Sequence, residues 1–108
     1  FQPTFHKHAG MLCGGVQVHI VQPASFRPYE AYLRLIAEAL MLRPEGLMPW
    51  RTEPYEFVES RPAIDLLTGG PEYRQAVNEG ASLTPLLEAE REGAHDFFEA
   101  RKSLLRYR

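Results

Sequence analysis

The sequence predicts an α+β domain, and three stretches carry that prediction. Residues 16–21 alternate with period two, residues 28–42 repeat apolar side chains at helical period, and residues 82–105 do so again. The architecture they predict is a small antiparallel sheet from the N-terminal strands, packed by the one long helix after it and by a C-terminal helical segment.

In the opening segment, Val16, Val18 and Ile20 point one way and Gln17, His19 and Val21 the other, the pattern of a half-buried strand. Gly14 and Gly15 stand at its entrance, where a bulge or the close approach of a ligand suits residues without a Cβ. If residues 1–8 are extended as well, His6 and His8 share one face and Phe5 and Lys7 the other. A hairpin through residues 9–12 would then set His6 or His8 near Cys13 or His19.

A helix is predicted over residues 28–42, because Tyr29, Tyr32, Leu33, Ile36, Ala37 and Leu40 make an apolar stripe and Glu30, Arg34 and Glu38 fall opposite it. Pro28 suits its first turn and Pro44 forbids continuation. Prolines 44, 49, 54 and 62 then break any period, leaving a long aromatic loop with a short extended piece near residues 55–58. Loops of this length in compact domains are often functional. Trp50 or Tyr55 is expected to expose its ring on an interaction surface, with Leu47 and Met48 next in line; the alternative is that Trp50, Tyr55 and Phe57 cover the core edge.

Residues 63–68 read as a helical turn closed by Gly69 and Gly70. Pro71 starts a second short helix with Tyr73 and Val77 inward and Gly80 as its stop. Ser82 is placed as N-cap of the last helix, whose Leu83, Leu86, Leu87, Ala94, Phe97, Phe98, Leu104 and Leu105 hold helical spacing. Gly93 costs that helix about 1 kcal/mol relative to Ala. Glu88, Glu90, Arg91, Glu92 and Asp96 read as its solvated face.

Composition narrows the functional classes. The 108 residues, 44% of them apolar, suffice for one core and so one domain. A net charge of −2 and a pI near 6.1 leave no basic footprint for nucleic acid. No apolar run is long enough for a transmembrane helix. The chain opens on Phe1 inside an apparent strand, so it is expected to be a piece of a longer polypeptide.

The polar density of the first 21 residues points to a bound ligand. His6, His8, His19 and Cys13 are plausible zinc ligands by type, but their spacing matches no closed zinc motif, and no metal or cofactor is assigned. Cys13 with a histidine base is a possible nucleophile; beside Leu12 and two glycines it also reads as a small buried apolar residue. Glu56, among aromatics, and Asp65, between Ile64 and Leu66, are the carboxylates best placed to be held in fixed positions. A helix cap or an ion pair with an arginine is the structural alternative for Asp65.

Three blocks, FHKHAGMLCGGVQVHI, SFRPYEAYLRLI and PYEFVESRPAIDLLTGG, in this order and spacing, resemble the C-terminal part of the bacterial exo-β-N-acetylmuramidase family. The resemblance implies a smaller α+β domain that follows a Rossmann-like α/β domain in the same polypeptide, with the substrate pocket between them. It implies removal of terminal N-acetylmuramic acid from peptidoglycan fragments, with the principal catalytic glutamate outside this chain. The fragment alone is therefore expected to be inactive. Carried over by position, His6, Lys7, Cys13, Gly14, Gly15 and Tyr55 are the substrate-binding candidates, with Glu56 and Asp65 as supporting acids. Lys7 suits the lactyl carboxylate of muramic acid, Tyr55 a sugar face, and Gly14 and Gly15 a close backbone approach. The resemblance favours the cell envelope or secretion and leaves the cytoplasm open. A non-catalytic module that binds glycan or docks a protein partner is the alternative.

Overall fold

The structure, a computed structural model, describes residues 1–47 and 49–107. Met48, one of the expected surface residues, lies outside the described residues. Four helices follow in order: α1 (Pro28–Met41), α2 (Ala63–Leu67), α3 (Glu72–Glu79) and α4 (Thr84–Arg101), with single 3-10 turns at Pro23–Ser25 and Lys102–Leu104.

The expected α+β class is corrected by this architecture. The chain is 48% helix and 2% strand, and among the described residues there is no sheet; the strand-type pairing is an isolated bridge between Tyr55 and Val58. The alternation in residues 16–21 is a pattern of faces, and a strand also needs a ladder partner for its N–H and C=O groups. Here residues 11–20 run without regular pairing, and Val16, Val18, Ile20 and Val21 are exposed. The sharing of faces expected for residues 5–8 goes with the strand: residues 4–10 are bends and turns, with His6 and His8 at φ 59° and 61°.

The helices form because their local signals agree with their packing. Pro28 opens α1 and its stripe turns Leu33 inward, while Ile36, Ala37 and Leu40 pack around the same core. Gly80, at φ 64°, ends α3 in the left-handed conformation that a side chain resists. The N-cap position of α4 is Leu83 rather than the expected Ser82, which stands one residue earlier and whose Oγ accepts the Thr84 N–H at 3.2 Å. Gly93 does not interrupt α4.

Leu33, Tyr73, Val77, Leu83 and Leu87 are the buried centre. The Tyr73 hydroxyl donates to the Leu33 carbonyl at 2.7 Å, joining α3 to α1, and burial pushes its pKa up to about 12. Between α1 and α4, Glu30 accepts from Arg91 at 2.6 Å and from Arg34 at 3.2 Å. Arg91 therefore bridges two helices, although the sequence places it on a solvated face. The second half of α4 is exposed, Phe97 and Phe98 included, as is Leu104 beyond it. The radius of gyration is 17.3 Å, against about 13 Å for a compact chain of this length.

Candidate functional site

Residues 1–13 close into a loop. The Cys13 N–H donates to the Phe1 carbonyl at 2.8 Å, and Phe1 N donates to the Cys13 carbonyl at 3.0 Å. Inside this pair, the Gly10 N–H donates to Pro3 O at 2.9 Å and Gln2 Nε2 to Gly10 O at 2.7 Å. The loop thus holds Lys7 at its far end from the Phe1–Cys13 closure. Gly15 serves packing, since a Cβ there would lie 2.7 Å from the Phe1 ring, whereas a Cβ on Gly14 would meet open space.

Lys7 lines an open groove of about 660 Å³ with Pro49, Trp50, Arg51, Thr52 and Glu53. The first and third sequence blocks are separated by α1, and in this groove Lys7 of the first block meets the residues that immediately precede the third. Its floor is anchored: Trp50 stacks edge-on against Tyr73 at 6.2 Å and donates from Nε1 to Asn78 Oδ1 at 2.8 Å. Among the described residues no carboxylate pairs with Lys7, while Arg51 pairs with Glu53 at 3.7 Å and donates to Pro54 O at 3.2 Å. The groove therefore carries a net positive charge suited to an anion.

Arg51 also reaches over the half-buried Tyr55 ring, 5.8 Å from its centroid. Tyr55 and Val58 exchange both backbone bonds, at 3.3 and 2.9 Å, around a two-residue turn formed by Glu56 and Phe57. Both turn residues have positive φ, 50° and 64°, and Phe57 is fully exposed.

The other candidates stand elsewhere. Asp65 is buried, and its two oxygens accept from Arg74 Nε and Nη2, each at 2.7 Å. The hydrogen bonds to Asp65 hold the Arg74 guanidinium above its ordinary value. Cys13, partly exposed, places its thiol 3.7 Å from Met11 O, and His6 packs against the Phe5 ring at 4.9 Å. His19 lines a second groove, of about 480 Å³, with Arg27, Arg34, Glu30 and Arg91. Among the described residues no three His, Cys, Asp or Glu side chains converge as metal ligands. Sequence reasoning missed Arg51 and Phe57, and it offered an ion pair with an arginine as the alternative for Asp65 without naming Arg74 as the partner. Arg74 falls nine residues after Asp65, which is no local helical spacing, and Glu56–Phe57 carries no turn signature.

Residues 1–107 match the family model described as the C-terminal part of the exo-beta-N-acetylmuramidase NamZ. The chain is 30% identical over 107 residues to the peptidoglycan beta-N-acetylmuramidase NamZ of Bacillus subtilis (strain 168). That alignment covers 99% of this chain and 24% of the relative, so the chain spans about a quarter of the length of the curated relative it matches. No solved structure matches it.

Proposed function

The chain belongs to the NamZ C-terminal family, and from that premise we propose that it forms one wall of the glycan cleft in a longer peptidoglycan glycosidase. The reaction is removal of a terminal N-acetylmuramic acid residue, and the facing wall is an N-terminal domain of the same polypeptide. The observation that carries this reading is the meeting of Lys7 with Trp50 and Arg51 in one groove, whose Arg51 also reaches over the Tyr55 ring.

In this reading the Lys7 ammonium pairs with the lactyl carboxylate, the group that separates muramic acid from glucosamine. Arg51 sits beside it, paired with Glu53, and Trp50, fixed by Asn78, keeps the wall rigid. Cys13, Gly14 and Gly15 close and space the loop that presents His6 and Lys7, which is a positioning role for the opening block. Glycoside cleavage needs one carboxyl group to protonate the leaving oxygen and another to act as base or nucleophile. Asp65 has both oxygens occupied by Arg74, so it supports the wall by tying α2 to α3, and Glu56 is the exposed acid of the turn that follows Tyr55. The principal carboxylate belongs to the facing wall.

The experiment is a comparison of two purified polypeptides on a chromogenic N-acetylmuramide. The full-length protein should release the chromophore, and the 108-residue chain should not. Turnover by the 108-residue chain would put the principal carboxylate inside it. A full-length protein that binds the sugar without cleaving it would favour the non-catalytic glycan-binding alternative.

A further inference from the structure

The turn at Glu56–Phe57 is built against the preferences of its own residues. Tyr55 and Val58 pair as a two-residue hairpin closing on two positive φ angles, the signs of a type I′ turn. Such turns select Asn-Gly or Asp-Gly, because a side chain at positive φ crowds its own backbone. A bulky residue there is an outlier, and here an aromatic one occupies φ 64°. Packing does not explain it, since Phe57 is wholly exposed and Glu56 is exposed beside it. The flanks, in contrast, are held: Tyr55 and Val58 are half-buried, and Arg51 covers the Tyr55 ring. A strained tip on a fixed base, carrying a free aromatic face and a carboxylate, is a pattern found where a ligand is met.

We propose that Phe57 and Glu56 are the sugar-contacting residues of this wall: the Phe57 ring stacks on the apolar face of a pyranose, and the Glu56 carboxylate accepts from its hydroxyl or acetamido N–H. This rests on the cleft reading above and changes it in one respect. The stacking partner is Phe57 rather than Tyr55, whose ring is half-buried and already faces Arg51. Arg51 lines the groove of Lys7 and covers the Tyr55 ring at the base of the turn, so the turn and the groove share one side chain.

The test uses the full-length protein and the double variant Glu56→Asn/Phe57→Gly, which installs the sequence that a type I′ turn prefers. Three readouts are taken: the unfolding midpoint, KM on a chromogenic N-acetylmuramide, and Kd for N-acetylmuramic acid by calorimetry. The double variant should unfold at the same or higher temperature while KM and Kd rise more than about tenfold, the scale of losing one aromatic contact together with the hydrogen bond to the Glu56 carboxylate. Phe57→Tyr, which keeps the ring, should stay within about twofold of wild type, and Phe57→Ala, which keeps Glu56, should raise KM and Kd about tenfold. Unchanged KM and Kd in the double variant would overturn the proposal. So would a fall in unfolding midpoint for Phe57→Ala with sugar affinity intact, which would make the tip a contact between domains. A wild type that binds the sugar without turnover would refute the hydrolase reading and leave the Kd comparison valid; a wild type that does not bind it would overturn both.

Discussion

Replacing each partner of the Asp65–Arg74 pair separately should give unequal losses of stability, because the two side chains are not equally buried. The Asp65 side chain keeps 6% of its exposure and that of Arg74 25%. Arg74→Met leaves a carboxylate that keeps 6% of its exposure without its two charge-assisted bonds. Breaking a buried pair in this way costs 3–5 kcal/mol, and the open side of Arg74 sets the expectation near the lower end, about 3 kcal/mol. Asp65→Asn leaves one acceptor on the amide and a guanidinium that can turn toward solvent, so about 1.5 kcal/mol is expected, the worth of one bond to a charged group. Arg74→Lys keeps the charge but loses the planar fork, and should fall between them. Urea unfolding followed by circular dichroism reads all three. Equal costs for Asp65→Asn and Arg74→Met would refute the burial argument. An Asp65→Asn variant with unchanged unfolding but reduced glycosidase activity in the full-length protein would place Asp65 in the chemistry.

Other consequences follow from single contacts. Tyr73→Phe removes the bond to Leu33 O and should cost about 1 kcal/mol near neutral pH, since that carbonyl keeps its place in α1. The folded state holds the Tyr73 hydroxyl protonated to about 12, against an ordinary value of 10.0. Its contribution is thus full below pH 10 and lost as pH rises toward 12, and Tyr73→Phe should lack that alkaline loss in a pH series of urea midpoints. The Glu30 carboxyl is held below its ordinary value of 4.5, first by the hydrogen bond from Arg91 and then by that from Arg34, against some desolvation. Its contribution is present above that value and lost as pH falls through the lower folded value. The gap in urea midpoint between wild type and Glu30→Gln should therefore be open at pH 7 and close in acid. Gly80→Ala meets no atom within 4 Å but forces a side chain to φ 64°, and should cost about 1 kcal/mol of unfolding free energy by strain alone.

The helices were legible because each is written in contacts within one or two turns. Pro28, the stripe from Tyr29 to Leu40, Gly80 and Ser82 mark starts, faces and stops without reference to the rest of the chain. The sheet was misread because alternation at Val16, Val18 and Ile20 states which residues share a face and says nothing about a partner for the backbone. The C-terminal stripe was legible as helix but not as exposed, since Phe97 and Phe98 hold helical spacing while the side chains over their rings are the solvated cations Arg101 and Lys102 rather than a core. At the candidate site, Lys7 and Trp50 could be named from their types, but their meeting in one groove depends on a loop closure between Phe1 and Cys13. The pairing of Asp65 with Arg74 crosses the turn between α2 and α3, a spacing that no helical or strand period marks.

The cleft reading stands on Lys7 and is tested most directly by Lys7→Ala in the full-length protein, with KM measured on paired substrates that differ only in the lactyl carboxylate. Loss of one charge-assisted contact is worth about 1.5–3 kcal/mol, so KM for the muramic acid substrate should rise by about ten- to a hundredfold. KM for the partner substrate without the carboxylate should stay within about twofold of wild type. An equal rise on both substrates, or no rise on either, would contradict a groove in which Lys7 reads the acid of the sugar.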